Sequence, residues 1–122
     1  MEQNVLETEL KPCSQNPVTG FTRDGTCGFH EDDQGRHNVC AVMTEDFLEF
    51  SKARGNDLTT PRPAFQFPGL EPGDRWCVCV ARWVEAFEAD CAPPVILEAT
   101  SKAALSVLPL SVLREHAHSP SS

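Results

Sequence analysis

The residues of this chain best suited to covalent or metal chemistry are its six cysteines and four histidines. Cys27-x-x-His30 is followed by His37-x-x-Cys40, and Cys77-Val78-Cys79 lies further along. Thiolates and imidazoles suit Zn²⁺, which takes four such ligands tetrahedrally, so Cys27, His37, Cys40 and Cys77 form a candidate zinc set. If Cys77 and Cys79 lie on a strand, alternation puts them on one face with Cα atoms about 6.5 to 7 Å apart. That spacing is awkward for a disulfide and workable for two metal ligands. The tight C-x-x-C knuckle that usually marks structural zinc does not occur.

The same residues also compose an activated thiol. Cys40 would be the nucleophile, His37 the base that forms its thiolate, and Cys77 or Cys79 a resolving thiol. Contact between His37 and Cys40 requires the strand to begin after His37, because in a regular strand the two have opposite parity. A ligand pocket without covalent chemistry is a further arrangement. Asp57 follows a helix end and Arg62 sits between Pro61 and Pro63, which places a carboxylate and a guanidinium on stiff backbone near strand ends. Each reading has a plainer counterpart. Free cysteines are often small buried hydrophobes, and an Asp after a helix often caps a turn while an Arg pairs with a surface acid.

Positioning these side chains is the task of an alternating pattern of short elements. From Val5 to Gly35 the text is turn chemistry, with a short strand expected at Val5-Leu6 and with Phe21 and Phe29 favouring a segment wrapped over the core. His37 to Met43 reads as a largely buried strand, with Val39, Ala41 and Met43 on one parity and Cys40 and Val42 on the other. Thr44 then caps a helix that carries Glu45 and Asp46 in its first turn and ends at Gly55-Asn56. A proline-rich link leads to a strand over Trp76–Val80 and a helix over Ala81–Asp90, stopped by Pro93-Pro94. Val95–Ala99 reads as a third strand, Thr100-Ser101 starts a short helical turn, Val107-Leu108 is a candidate fourth strand, and Ser111 begins a last helix. The pattern predicts an α+β fold: a small mixed β-sheet with three short helices and a long irregular N-terminal segment. Residues 1–117 are expected to form one globular domain and 118–122 a frayed tail.

The acidic balance, 10 basic against 18 acidic residues for a net charge of −8, supplies no counter-charge for nucleic acid or an anionic membrane surface. No apolar run approaches the roughly 20 residues of a spanning helix. The acidic, polar start Met1-Glu2-Gln3-Asn4 is unlike a secretory signal, which predicts a cytoplasmic protein with reduced thiols. No phosphate-binding loop, nucleophile elbow or calcium loop is present, and Glu31-Asp32-Asp33 reads as a solvated acidic loop. Trp76, Trp83 and Phe87 read as core.

In order along nearly the whole chain, Asn4-Val5-Leu6, Pro12-Cys13-Ser14, Thr19-Gly20-Phe21, Arg23-Asp24-Gly25 and Val39-Cys40-Ala41-Val42-Met43-Thr44 carry a resemblance. It continues through Phe47-Leu48-Glu49-Phe50, Arg54-Gly55-Asn56-Asp57, Thr60-Pro61-Arg62-Pro63, Pro72-Gly73-Asp74-Arg75-Trp76-Cys77 and Ala92-Pro93-Pro94-Val95. With these motifs the chain resembles an uncharacterised bacterial family, DUF2237. Phe29-His30-Glu31-Asp32 departs from the Gly-Pro-Glu-Asp of family members. The resemblance implies no activity, ligand or catalytic residue. Two classes of function therefore follow from the residues: a thiol- or metal-dependent site around Cys40, His37, Cys77 and Cys79, or a small-ligand or protein interaction module with structural cysteines.

Overall fold

The computed structural model describes residues 2–15, 18–65 and 67–118. Among the described residues the sheet is an antiparallel pair, β1 (Val39–Val42) and β2 (Arg75–Val78), in the register Val39↔Val78, Cys40↔Cys77, Ala41↔Trp76 and Val42↔Arg75. Because side chains alternate across a strand, this register sorts the residues into two faces. Val39, Ala41, Trp76 and Val78 join the main apolar core, while Cys40, Val42 and Cys77 face a second cluster with Cys13, Cys27, Ile96 and Ala99. A sheet of two short strands is marginal by itself; here both faces are covered.

Among the described residues three α-helices follow in the expected order: α1 (Glu45–Ala53), α2 (Val80–Glu88) and α3 (Leu110–Glu115). The hydroxyl of Thr44 accepts the Phe47 N–H at 3.1 Å, and Glu45 and Asp46 stand in the first turn where the helix dipole favours acids. Phe47 of α1 and Trp83 of α2 are fully buried, each burial stabilising by roughly 1.5 to 3 kcal/mol. Trp83 also places its indole N–H on the Pro93 carbonyl at 3.1 Å, which satisfies its polar end. The architecture is α+β.

Several elements differ from the sequence reading. The strand expected over Trp76–Val80 stops at Val78, so Cys79 becomes the N-cap of α2 and is no longer a strand neighbour of Cys77. Val95–Ala99 is not a strand. Val95 makes single bridges to Ala41 and Ala117, after which the Thr100 hydroxyl donates to the Ile96 carbonyl and the chain curls into a 3-10 turn at Leu97–Ala99. Val107-Leu108 closes a further 3-10 turn, Lys102–Ser106, with both N–H groups on Ala104. Near the N-terminus the expected strand is reduced to a bridge between Asn4 and Ser101, and the chain reverses at Glu7, whose φ is 63°. The expected tail beyond His118 lies outside the described residues.

The irregular first third is fastened by sulfur rather than by its phenylalanines. Phe21 and Phe29 are exposed, whereas Cys13 is bonded to Cys40 and Cys27 to Cys77. These cysteines were expected as thiols. The correction has a geometric cause: the register sets Cys40 beside Cys77, and the first third crosses that face with Cα separations of 5.7 and 5.2 Å, inside the range a disulfide spans. Closing loops with sequence separations of 27 and 50 stabilises by roughly 3 to 4 kcal/mol each on the chain-entropy account.

Candidate functional site

The turn before β1 builds the first half of the site. The Arg36 N–H donates to the Asp33 carbonyl at 3.1 Å, and Arg36 itself takes φ 51°, an uncommon conformation for a residue with a Cβ. Its carbonyl accepts the Val80 N–H at 3.0 Å, so the turn is pinned to the start of α2. Inside the turn the Asp33 side chain is only 2% exposed, and both carboxylate oxygens are spent on His37. Oδ2 accepts the His37 backbone N–H at 2.8 Å, and Oδ1 lies 2.7 Å from ring Nδ1. A carboxylate held this way assigns the Nδ1 proton and aims the other ring nitrogen outward.

The other half is the end of β2. At the N-cap, Cys79 accepts the Trp83 N–H on its carbonyl, but its side chain makes no cap bond. Its Sγ instead lies 3.5 Å from His37 Nε2. Asp33, His37 and Cys79 thus form one continuous chain of polar contacts. The hydrogen bond to Cys79, together with the charges of Cys79 and Asp33 and the Asp33 hydrogen bond, raises the His37 pKa to about 9 against the opposing effect of burial. The sulfur thus stands at the N-terminal end of α2, within reach of a ring nitrogen that can exchange a proton with it. Gly35 is fitted to the pair: a Cβ there would stand 2.9 Å from Cys79 Sγ and 2.9 Å from His37 Cε1.

His37 and Cys79 line a recess of about 60 Å³, together with Asn56, Leu58 and Trp76. The recess shares His37, Asn56, Leu58, Trp76 and Cys77 with a larger cavity of about 350 Å³ that Arg23, Asp57 and Arg62 also line. A volume of that size suits a small organic molecule. The Asp57 carboxylate is fastened within its own turn, accepting from the Thr59 N–H at 2.9 Å and from the Thr60 hydroxyl at 2.6 Å. Those bonds, the Thr60 hydroxyl foremost, hold its carboxyl well below the usual range.

The structure therefore divides the residues singled out in the sequence. His37 and Cys79 meet. Cys40 is fully buried and bonded to Cys13, and Cys27 is bonded to Cys77, so these carry no thiol in the disulfide form. Of the candidate zinc set, Cys27, Cys40 and Cys77 have their sulfurs in S–S bonds, while the ring nitrogens of His37 face Asp33 and Cys79. Arg62 and Asp57 both reach the cavity.

Three participants were not foreseen. Asp33 lay in an acidic run read as solvated, Gly35 carried no signal, and Arg23 was passed over. The usable clue was the spacing of Asp33 and His37, which lets a tight turn close one side chain on the other.

A family model described as an uncharacterized protein conserved in bacteria, DUF2237, matches residues 3–117, a span that holds every residue of this site. No curated protein matches the chain. Among the described residues no helix is long and apolar enough to cross a membrane.

Proposed function

The chain belongs to the DUF2237 family, and we propose that it is a thiol-dependent enzyme in which Cys79 is the nucleophile, His37 its acid–base partner and Asp33 the residue that orients His37. The observation that carries this reading is the continuous Asp33–His37–Cys79 array at the mouth of a cavity. A nucleophile within reach of a base, and a base oriented by a third group, is the arrangement that covalent catalysis requires.

In this reading the Cys79 proton passes to His37 Nε2, and the Asp33 carboxylate stabilises the imidazolium so formed. The thiolate then adds to an acyl carbon of a small molecule. A C–S bond forms, the bond to the leaving group breaks, and the leaving group departs with the Nε2 proton. Neutral His37 next takes a proton from water, the hydroxide adds to the thioester carbon, and Cys79 leaves as the thiol. The net change is hydrolysis, with no redox step. Acyl transfer is the chemistry that Cys-His arrays with an orienting third residue serve on unrelated folds. Arg62 and the Asp57 turn would form the ligand-binding rim.

Alkylation by iodoacetamide at pH 6.5, followed by peptide mapping, tests the proposal with the unmodified protein. Cys79 is expected to react roughly tenfold faster than Cys91, since a base 3.5 Å from its sulfur can take the proton, whereas burial, Asp46 and Asp90 push the Cys91 thiol up. Equal, slow reaction at both thiols would overturn the reading and favour a non-catalytic interaction module.

A further inference from the structure

The chain carries a net charge of −8, yet the charged residues lining the large cavity are Arg23, Arg62, His37 and Asp57. The one carboxylate in that set is already engaged. Asp57 Oδ1 accepts from the Thr59 N–H, the Thr59 hydroxyl and the Thr60 N–H, and Oδ2 accepts from the Thr60 hydroxyl. The two guanidiniums, by contrast, form no ion pair among the described residues, although the chain holds 18 acids.

The Arg23 guanidinium and the Arg62 backbone are each held by neighbours. Arg23 sits at φ 58°, and its guanidinium lies over the Trp76 ring at 5.0 Å from the centroid. Trp76 is among the side chains that line both the cavity and the Cys79 recess. Arg62 follows Pro61 and exchanges reciprocal backbone hydrogen bonds with Phe67, at 2.7 and 3.1 Å. A guanidinium offers a planar fork of donors that matches an oxyanion, and low-dielectric walls concentrate the field of two such groups.

Resting on the thiol reading, we infer that the substrate is a small organic anion, whose carboxylate or phosphate group is drawn to Arg23 and Arg62 while its electrophilic carbon faces Cys79. The positive cavity selects for charge, and the recess beyond it admits only the reacting end.

Paired alkylating agents that differ in charge test this directly. Iodoacetate is anionic and iodoacetamide neutral, and both transfer a two-carbon group to sulfur with loss of iodide. The ratio of the iodoacetate rate to the iodoacetamide rate at Cys79 is compared with the ratio for N-acetylcysteine amide under the same conditions. The expected result is a ratio several-fold higher at Cys79. It should fall as NaCl is raised, because salt screens the attraction, and it should fall again in the Arg23→Ala, Arg62→Ala double variant, which loses more of its iodoacetate rate than of its iodoacetamide rate. Fast iodoacetamide reaction at Cys79 with a ratio equal to that of the free thiol overturns the anionic substrate and leaves the thiol reading intact. Slow reaction with both reagents overturns both. The unmodified protein decides between these outcomes even if the double variant does not fold.

Discussion

Cys79 stands at the N-terminal end of α2 with the His37 ring 3.5 Å away, whereas Cys91 lies just beyond the C-terminal end of the same helix, next to Asp90. Both are half-buried free thiols. Exposure therefore does not separate them; the sign of the surroundings does. Burial pushes the Cys91 thiol up, and the charges of Asp46 and Asp90 push it further against the opposing Arg54. The helix dipole acts in the same sense, favouring an anion at the Cys79 end and opposing one at the Cys91 end. One helix thus presents the same side chain in an activating and a deactivating setting, which makes Cys91 an internal control for Cys79.

Removing the imidazole should break the comparison most completely. In His37→Gln the Cys79 alkylation rate at pH 6.5 is expected to fall roughly tenfold, toward that of Cys91, while the Cys91 rate stays put. Rapid kinetics with peptide mapping reads both sites in one sample. An unchanged Cys79 rate would mean that His37 does not activate the sulfur. A smaller effect is expected from Gly35→Ala, because the added Cβ has to separate a pair it would meet at 2.9 Å on both sides. Overpacking of this kind typically costs about 1 to 3 kcal/mol of stability. The Cys79 rate should drop by roughly a few-fold as the contact lengthens, in keeping with the sensitivity of reacting geometry to small displacements. If Gly35→Ala slowed Cys91 equally, the change would be global and the contact would not be special.

The elements that hold these thiols were more legible than the site itself. Val39–Ala53 could be read because its signals are local: parity separates Val39 and Ala41 from Cys40, and Thr44 marks the helix start. The end of β2 was harder. Val78-Cys79-Val80 is apolar throughout, so nothing in the text showed that the Arg36 carbonyl would take the Val80 N–H and start α2 there. The disulfides depend on pairings between the irregular first third and the sheet, which no local pattern encodes. Asp33 was hidden by its neighbours, since Asp32 is exposed and Asp33 buried in one acidic run. What distinguishes them is a turn that ends in a left-handed Arg36, a conformation without a strong sequence signature. Long-range closure, not propensity, assembled the site.

The smallest expected effect is on stability, and its sign follows from the direction of the His37 shift. The folded pKa, about 9, lies above the ordinary 6.5, so the folded state binds this proton more tightly than the unfolded chain. The stabilisation is fully present below about pH 6.5 and is lost as pH rises through about 9. With 38% of the side chain exposed, solvent screens much of it. The melting-temperature difference between the parent protein and His37→Gln should therefore be widest near pH 6 and narrow steadily toward pH 10, background titrations cancelling in the difference. Since the hydrogen bond to Cys79 is the largest cause of the shift, Cys79→Ser should flatten the slope between pH 6.5 and 9, while Cys91→Ser should leave it as it is. A difference that stays level across that window, or responds equally to both serine variants, would remove the ion pair from the account and with it the contrast between the two ends of α2.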